Sequence, residues 1–201
     1  MKRKYFNSYD FYNMENDEEI TILKNFKPIK GNIKDACGPY AVLMCLNYLG
    51  DYTYNIEEIY RLVKCEVKNG TKLNNIITFL RNNDYKILTN LDMYKNKDGK
   101  IFPSFSSFRD FILYNLNQNN PIIVESVYFG GHYQVIIGYD KRSNKDNEDI
   151  LILADSLDIC DEVEDGYVFI NALLFYNMWF DDGYLLKEER TEPFIVIMEK
   201  K

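Results

Sequence analysis

The stretch DACGPYAVLMCLNYLG, residues 35–50, decides how the chain is read. Cys37 and two helix-breaking residues, Gly38 and Pro39, stand directly ahead of a nearly unbroken apolar run. A cysteine kept for packing would lie inside that run, as Cys45 does, whereas Cys37 stands at its entrance. Pro39 suits the first turn of a helix, where its missing N–H leaves no bond unmade, and Gly50-Asp51 is a C-terminal stop. The spacing predicts a helix over 38–49, apolar on every side apart from Asn47, which is the pattern of a helix through the middle of a domain. At the N-terminus of such a helix, unpaired N–H groups and the dipole favour a negative sulfur and lower a thiol's pKa.

The composition around this stretch bounds what it can serve. With 201 residues, 46% hydrophobic and 15% aromatic, the chain can bury one substantial core, and dividing it would leave two marginal ones. The expected organisation is an N-terminal arm over 1–27, where Tyr5, Phe6, Phe11 and Tyr12 are scattered without a period, and one folded domain over 28–201. A net charge of −7, with no Lys/Arg cluster beyond Lys2, Arg3 and Lys4, argues against a nucleic-acid or anionic-membrane surface. The first twenty residues lack the apolar centre of a signal peptide, and no stretch reaches the roughly 20 apolar residues of a membrane span. A cytoplasmic location is expected. There Cys37, Cys45, Cys65 and Cys160 should be thiols, and their spacings match no CxxC redox or zinc pattern.

Downstream of the first helix the pattern stays helical. YNIEEIYRLVK is followed by TKLNNIITFLRNN, with Leu73, Ile76, Ile77 and Leu80 on one face behind Thr71 as a cap. SFRDFILYNLNQ begins with Ser107 as its cap and lines up Phe108, Phe111, Ile112 and Leu116. The period then changes: PIIVESVYF and HYQVIIGYD flank Gly130-Gly131, and ILILADS follows a charged loop at 141–149, which reads as three antiparallel strands. A short helix in FINALLFYNMWF and a last strand in EPFIVIME complete an α+β domain, a central N-terminal helix packed on a C-terminal antiparallel sheet.

For the thiol to act in acyl transfer it needs a base and a group that orients the base. The chain has one histidine, His132, just past the glycine turn at the start of a strand, sharing a face with Gln134 and Ile136. Asp155 ends the apolar run of the next strand, where antiparallel pairing can bring its carboxylate near His132. Cys45, Cys65 and Cys160 are read as structural. The acidic run DICDEVEDG lacks the alternating ligand spacing of a calcium loop and is read as a solvated turn, so no metal and no cofactor is assigned.

DACGPYAVLMCLNYLG, GGHYQVIIGYD and LILADSLD, in that order, resemble the C39-like branch of the papain-fold cysteine peptidases, over roughly residues 28–182. The strand NPIIVES before the histidine and the segment FINALLFYNMW after the aspartate belong to the same resemblance. It implies a papain-like fold with Cys37 as nucleophile, His132 as base and Asp155 as the residue that orients it. One position departs: where the family carries a glutamine whose amide forms half of the oxyanion hole, six residues before the nucleophile, this chain has Gly31. Asn32, one residue later, can offer an equivalent N–H₂ beside the Cys37 backbone N–H, and Asn25 is a remoter donor. Losing one such donor costs about a hundredfold or more in rate.

The expected function is cysteine-dependent acyl transfer, peptidase-like, through a thioester acyl-enzyme. Two alternatives stand beside it. An amide-forming acyltransferase would take acyl groups from carrier-protein thioesters, docking an acidic carrier near Lys141 and Arg142; a degenerate peptidase would serve only as a binding module. The expected partner is a peptide or acyl-thioester substrate.

Overall fold

Residues 37–48 form the first helix, α1 (Cys37–Tyr48), and residues 38–46 are all buried. The helix therefore starts on Cys37 itself. The computed structural model describes residues 18–126, 131–141, 146–158, 164–180 and 185–200. Tyr5, Phe6, Phe11, Tyr12, Gly130, Arg142 and Cys160 lie outside the described residues.

Two helices follow α1. Helix α2 (Ile56–Leu62) opens with a reciprocal cap, the Asn55 side chain accepting from the Glu58 N–H and the Glu58 carboxylate from the Asn55 N–H. Helix α3 (Leu73–Asn82) buries Leu73, Ile76, Ile77 and Leu80, the stripe read from the sequence. Thr71 is not its cap. The helix begins one residue later, on Lys72 as N-cap with no side-chain bond, and Thr71 is buried, its Cβ 3.1 Å from where a side chain on Gly38 would begin. A carboxylate distant in sequence takes over, Glu189 Oε1 accepting from the Asn74 N–H at 3.1 Å. The next helix, α4 (Phe105–Asn117), is capped by Ser104 instead of Ser107, which sits three residues inside it as the reciprocal partner. Its buried stripe of Phe108, Ile112 and Leu116 matches the pattern read from the sequence.

Seven strands of the described residues form one sheet: β1 (Ile20–Ile22), β2 (Tyr85–Thr89), β3 (Ile122–Ser126), β4 (His132–Asp140), β5 (Ile150–Ala154), β6 (Tyr167–Asn171) and β7 (Phe194–Lys200). Their order is β2-β7-β3-β4-β5-β6, with β1 beside β4, and every pairing is antiparallel. The sheet is wider than the periodicity foretold: β2 comes from the N-terminal half, and β6 takes Phe169, Ile170 and Asn171 from a segment read as helix, leaving α5 (Ala172–Asn177) as the helical part. Within the segment read as an arm, Ile20–Ile22 pairs with Gly138–Asp140, and Leu23 and Phe26 are buried.

Aromatic side chains from α4, α5 and β7 close one part of the core. Trp179 stacks on Phe102 at 5.7 Å, meets Phe108 edge-on at 5.4 Å and donates its indole N–H to the Pro193 carbonyl. Burying a side chain such as Phe108 completely contributes roughly 1.5–3 kcal/mol, which fixes this cluster as ballast for the sheet. No described helix is long and apolar enough to cross a membrane.

Candidate active site

Three elements deliver the residues singled out in the sequence. Helix α1 places Cys37 at its first position, behind an N-cap, Ala36, that makes no side-chain bond, and its first turn carries no acidic residue. The N-terminal N–H groups are thus left to the sulfur, and the dipole is unopposed. Strand β4 begins with His132, 7% exposed. The β4–β5 register pairs Val135 with Ala154, so the next residue along β5, Asp155, falls opposite Gln134 and one step from His132.

The structure brings Cys37, His132 and Asp155 together. His132 Nε2 lies 2.6 Å from Asp155 Oδ1, while the ring also hydrogen-bonds the Cys37 sulfur. With Nε2 on Asp155, Nδ1 is the ring nitrogen left for the thiol. Asp155 is fully engaged: Oδ1 also accepts from the Leu157 N–H at 2.8 Å, Oδ2 accepts from Gln134 Nε2 at 2.7 Å, and its own N–H donates to the Gly166 carbonyl at 2.8 Å. Gly166 is in the left-handed region, φ 85°, and a Cβ there would collide with the Pro28 ring. Only glycine fits this anchor without strain.

The electrostatics follow from this packing. Burial opposes a thiolate at Cys37, but hydrogen bonding and charge from His132, with the N–H groups of Tyr133 and Gly38, outweigh it and lower the thiol's pKa. Burial likewise opposes a charged His132, yet the hydrogen bonds to Asp155 and Cys37 push it up to about 10. Asp155 is held below its usual range, mainly by His132 against the cost of burial, so it is ionised and accepts from Nε2–H. Both shifts run in the same sense, favouring a thiolate beside an imidazolium over the neutral pair. The other described thiols go the opposite way: burial raises Cys45 far up and Cys65 less far, the latter donating to the Asp35 carbonyl at 3.3 Å.

Around the expected oxyanion donors the structure is specific. A side chain on Gly31 would begin 2.9 Å from the Tyr40 ring, so the ring occupies the space beside this position. Asn32 hydrogen-bonds that same tyrosine twice, Oδ1 accepting from the hydroxyl at 2.7 Å and the backbone N–H donating to it at 3.2 Å. Gln134 and Tyr40 are the neighbours to which the sequence reading gave no role. Each carries a signal there: Gln134 is two residues from His132 on its face, and Tyr40 is one helical turn from Cys37.

A model describing the Peptidase_C39 like family matches residues 11–179. The chain belongs to that family. No curated protein matches it. Among solved structures, the peptidase domain of Streptococcus ComA, a bi-functional ABC transporter involved in a quorum-sensing pathway, superposes with a TM-score of 0.57 at 15% identity, covering 88% of this chain and 100% of that one. A double glycine motif protease from an AMS/PCAT transporter, in complex with its leader peptide, gives 0.51 at 13% identity, covering 90% and 98%. The fold of this C39-like chain is the papain-like α+β fold of C39 peptidase domains, and the protein is cysteine-peptidase-like.

An open hollow of about 600 Å³, lined by Asp51, Tyr85 and Lys200 among others, lies past the opposite end of α1. It is roughly 18 Å of helix away from Cys37 and belongs to no part of this site. Among the described residues no group of three His, Cys, Asp or Glu side chains is placed to hold a metal ion.

Proposed function

We propose that this C39-like protein is a cysteine-dependent hydrolase of peptide or amide bonds, acting through a thioester acyl-enzyme with Cys37, His132 and Asp155 as its triad. The observation that carries the reading is the continuous hydrogen-bonded chain from the Cys37 sulfur through His132 to Asp155, with the last link at 2.6 Å. In it the Cys37 thiolate attacks the substrate carbonyl carbon, forming a C–S bond and an oxyanion. The backbone N–H of Cys37 and the Asn32 amide donate to that oxyanion. Imidazolium Nδ1 gives its proton to the leaving nitrogen, the C–N bond breaks, and a thioester remains. Water then attacks the thioester while His132 takes its proton; the C–S bond breaks and a carboxylic acid leaves. Asp155 holds the ring in one orientation and stabilises its charge throughout. That a solved structure of the same fold was captured with a leader peptide supports a peptide as substrate.

The test is acyl-enzyme formation at Cys37, read by intact mass, with an activated thioester and a peptide of matched acyl group. Acylation by both, with release by water, is expected. Acylation by the thioester alone, with release that requires an added amine, would identify an amide-forming transferase instead. A panel that acylates nothing would leave only a binding module.

A further inference from the structure

The geometry points to Tyr40 as the positioning residue of the oxyanion hole: its hydroxyl fixes the Asn32 carboxamide in the orientation that offers N–H to the reacting carbonyl. The inference deepens the proposed function and rests on it. Tyr40 is 3% exposed, its ring is held against Gly31, and its hydroxyl meets two groups of Asn32. Those two contacts determine which way the amide faces. The Asn32 backbone N–H donates to the hydroxyl oxygen, so the single hydroxyl hydrogen is directed elsewhere, and at 2.7 Å it finds Oδ1. An amide turned the other way would present Nδ2–H₂ to an oxygen already accepting a bond and leave the hydroxyl hydrogen without its acceptor. With Oδ1 committed to Tyr40, both Nδ2 hydrogens stay on the opposite side of the amide, on a residue that is itself exposed.

The same segment is strung between the two halves of the site. The Gly31 N–H donates at 2.7 Å to the carbonyl of Ser156, the residue after Asp155, while Asn32 is tied to the helix that begins with Cys37. A free exposed asparagine would rotate and spend the transition state's stabilisation on being ordered; one held by a buried phenol is ordered beforehand. Gly31, Tyr40 and Asn32 therefore act as one unit. The absence of a side chain at Gly31 admits the ring, and the ring orients the neighbouring amide.

The experiment measures single-turnover acylation of Cys37 in the full chain by aryl thioesters of N-acetylated amino acids. Tyr40→Phe keeps the ring and loses the hydroxyl. It is expected to lower the limiting acylation rate about tenfold, leaving the half-saturating thioester concentration and the rate of Cys37 alkylation by iodoacetamide unchanged. Asn32→Asp, which retains the bond to Tyr40 but has no amide N–H, should be slowed at least as much, and Tyr40→Phe should add nothing to an Asn32→Ala background. Tyr40→Phe at the wild-type rate, or effects of the two substitutions that multiply, would overturn the role of Tyr40 alone. Asn32→Asp or Asn32→Ala at the wild-type rate would overturn the oxyanion assignment. Wild-type protein that no thioester acylates would overturn the proposed function and this inference with it.

Discussion

Gln134 donates to the oxygen of Asp155 that His132 leaves unused, Nε2 to Oδ2 at 2.7 Å. Both residues are buried, at 1% and 3% exposure, so neither oxygen of the carboxylate turns to water. Gln134→Leu removes that donor and frees the carboxylate to rotate away from the imidazole. Acylation of Cys37 should fall about tenfold, as when a buried partner is lost. Gln134→Glu should be worse, because a second buried carboxylate beside Asp155 would raise the pKa of one of the two. Rates for Gln134→Leu equal to wild type across pH would show that the Leu157 N–H and His132 suffice to hold Asp155.

Thiol labelling tests the electrostatic asymmetry directly. Cys37 is the described thiol whose pKa is lowered, while burial raises Cys45 and Cys65. Mapping of iodoacetamide adducts near neutral pH should find Cys37 modified first. His132→Ala should slow that modification by about tenfold or more, since the imidazole contributes the leading interactions that favour thiolate. Equal rates at Cys37 and Cys65 would count against a stored ion pair.

The pH profile should be bell-shaped. At low pH the sulfur is protonated and inert; as pH rises through the Cys37 value, which lies below 9.0, thiolate forms and the rate climbs. The falling limb comes when His132, raised to about 10, gives up the proton that the leaving group needs. The two limbs belong to the coupled pair, and Asp155, lowered and already ionised, should add no limb in the neutral range. A falling limb near 6.5, the ordinary histidine value, would show that the Asp155 contact does not hold the ring charged.

Gly166→Ala should cost about 2 kcal/mol or more in stability, read as a fall in urea midpoint. The residue would be forced into the left-handed region and against Pro28, and relief would drag the carbonyl that accepts the Asp155 N–H. Cys37 acylation should therefore drop along with stability. The exposed Leu157→Ala, two residues after Asp155, should change stability by less than about 0.5 kcal/mol.

What could be read from the sequence follows the range of the forces involved. Helix α1, the β3–β4 and β5 strands and the stripe on α3 were legible because their signal is local periodicity with start and stop residues close by. Antiparallel pairing of successive strands also let the sequence bring the Asp155 carboxylate near the start of the His132 strand, though not the register that sets it opposite Gln134. Caps that depend on distant chain were not legible: nothing near Thr71 says that Glu189 will hold the first turn of α3. Ser104 and Ser107 both fit a cap by type, and only the backbone turn at Ser104 separates them. Short strands such as β1 and β2 have too few residues for alternation to stand out. The Tyr40–Asn32 bond lay hidden because a tyrosine in an apolar helix looks like packing until its hydroxyl has a partner.

Strand β7, the last in the chain, lies between β2 and β3. During synthesis Cys37, His132 and Asp155 all emerge before it, yet until residues 194–200 arrive the β3 edge is unpaired and β2 is not joined to the rest of the sheet. Vectorial synthesis thus delivers the chemical groups first and the brace that assembles their scaffold afterwards. A chain stopped at residue 193 should contain every reactive group and show none of the fast Cys37 labelling.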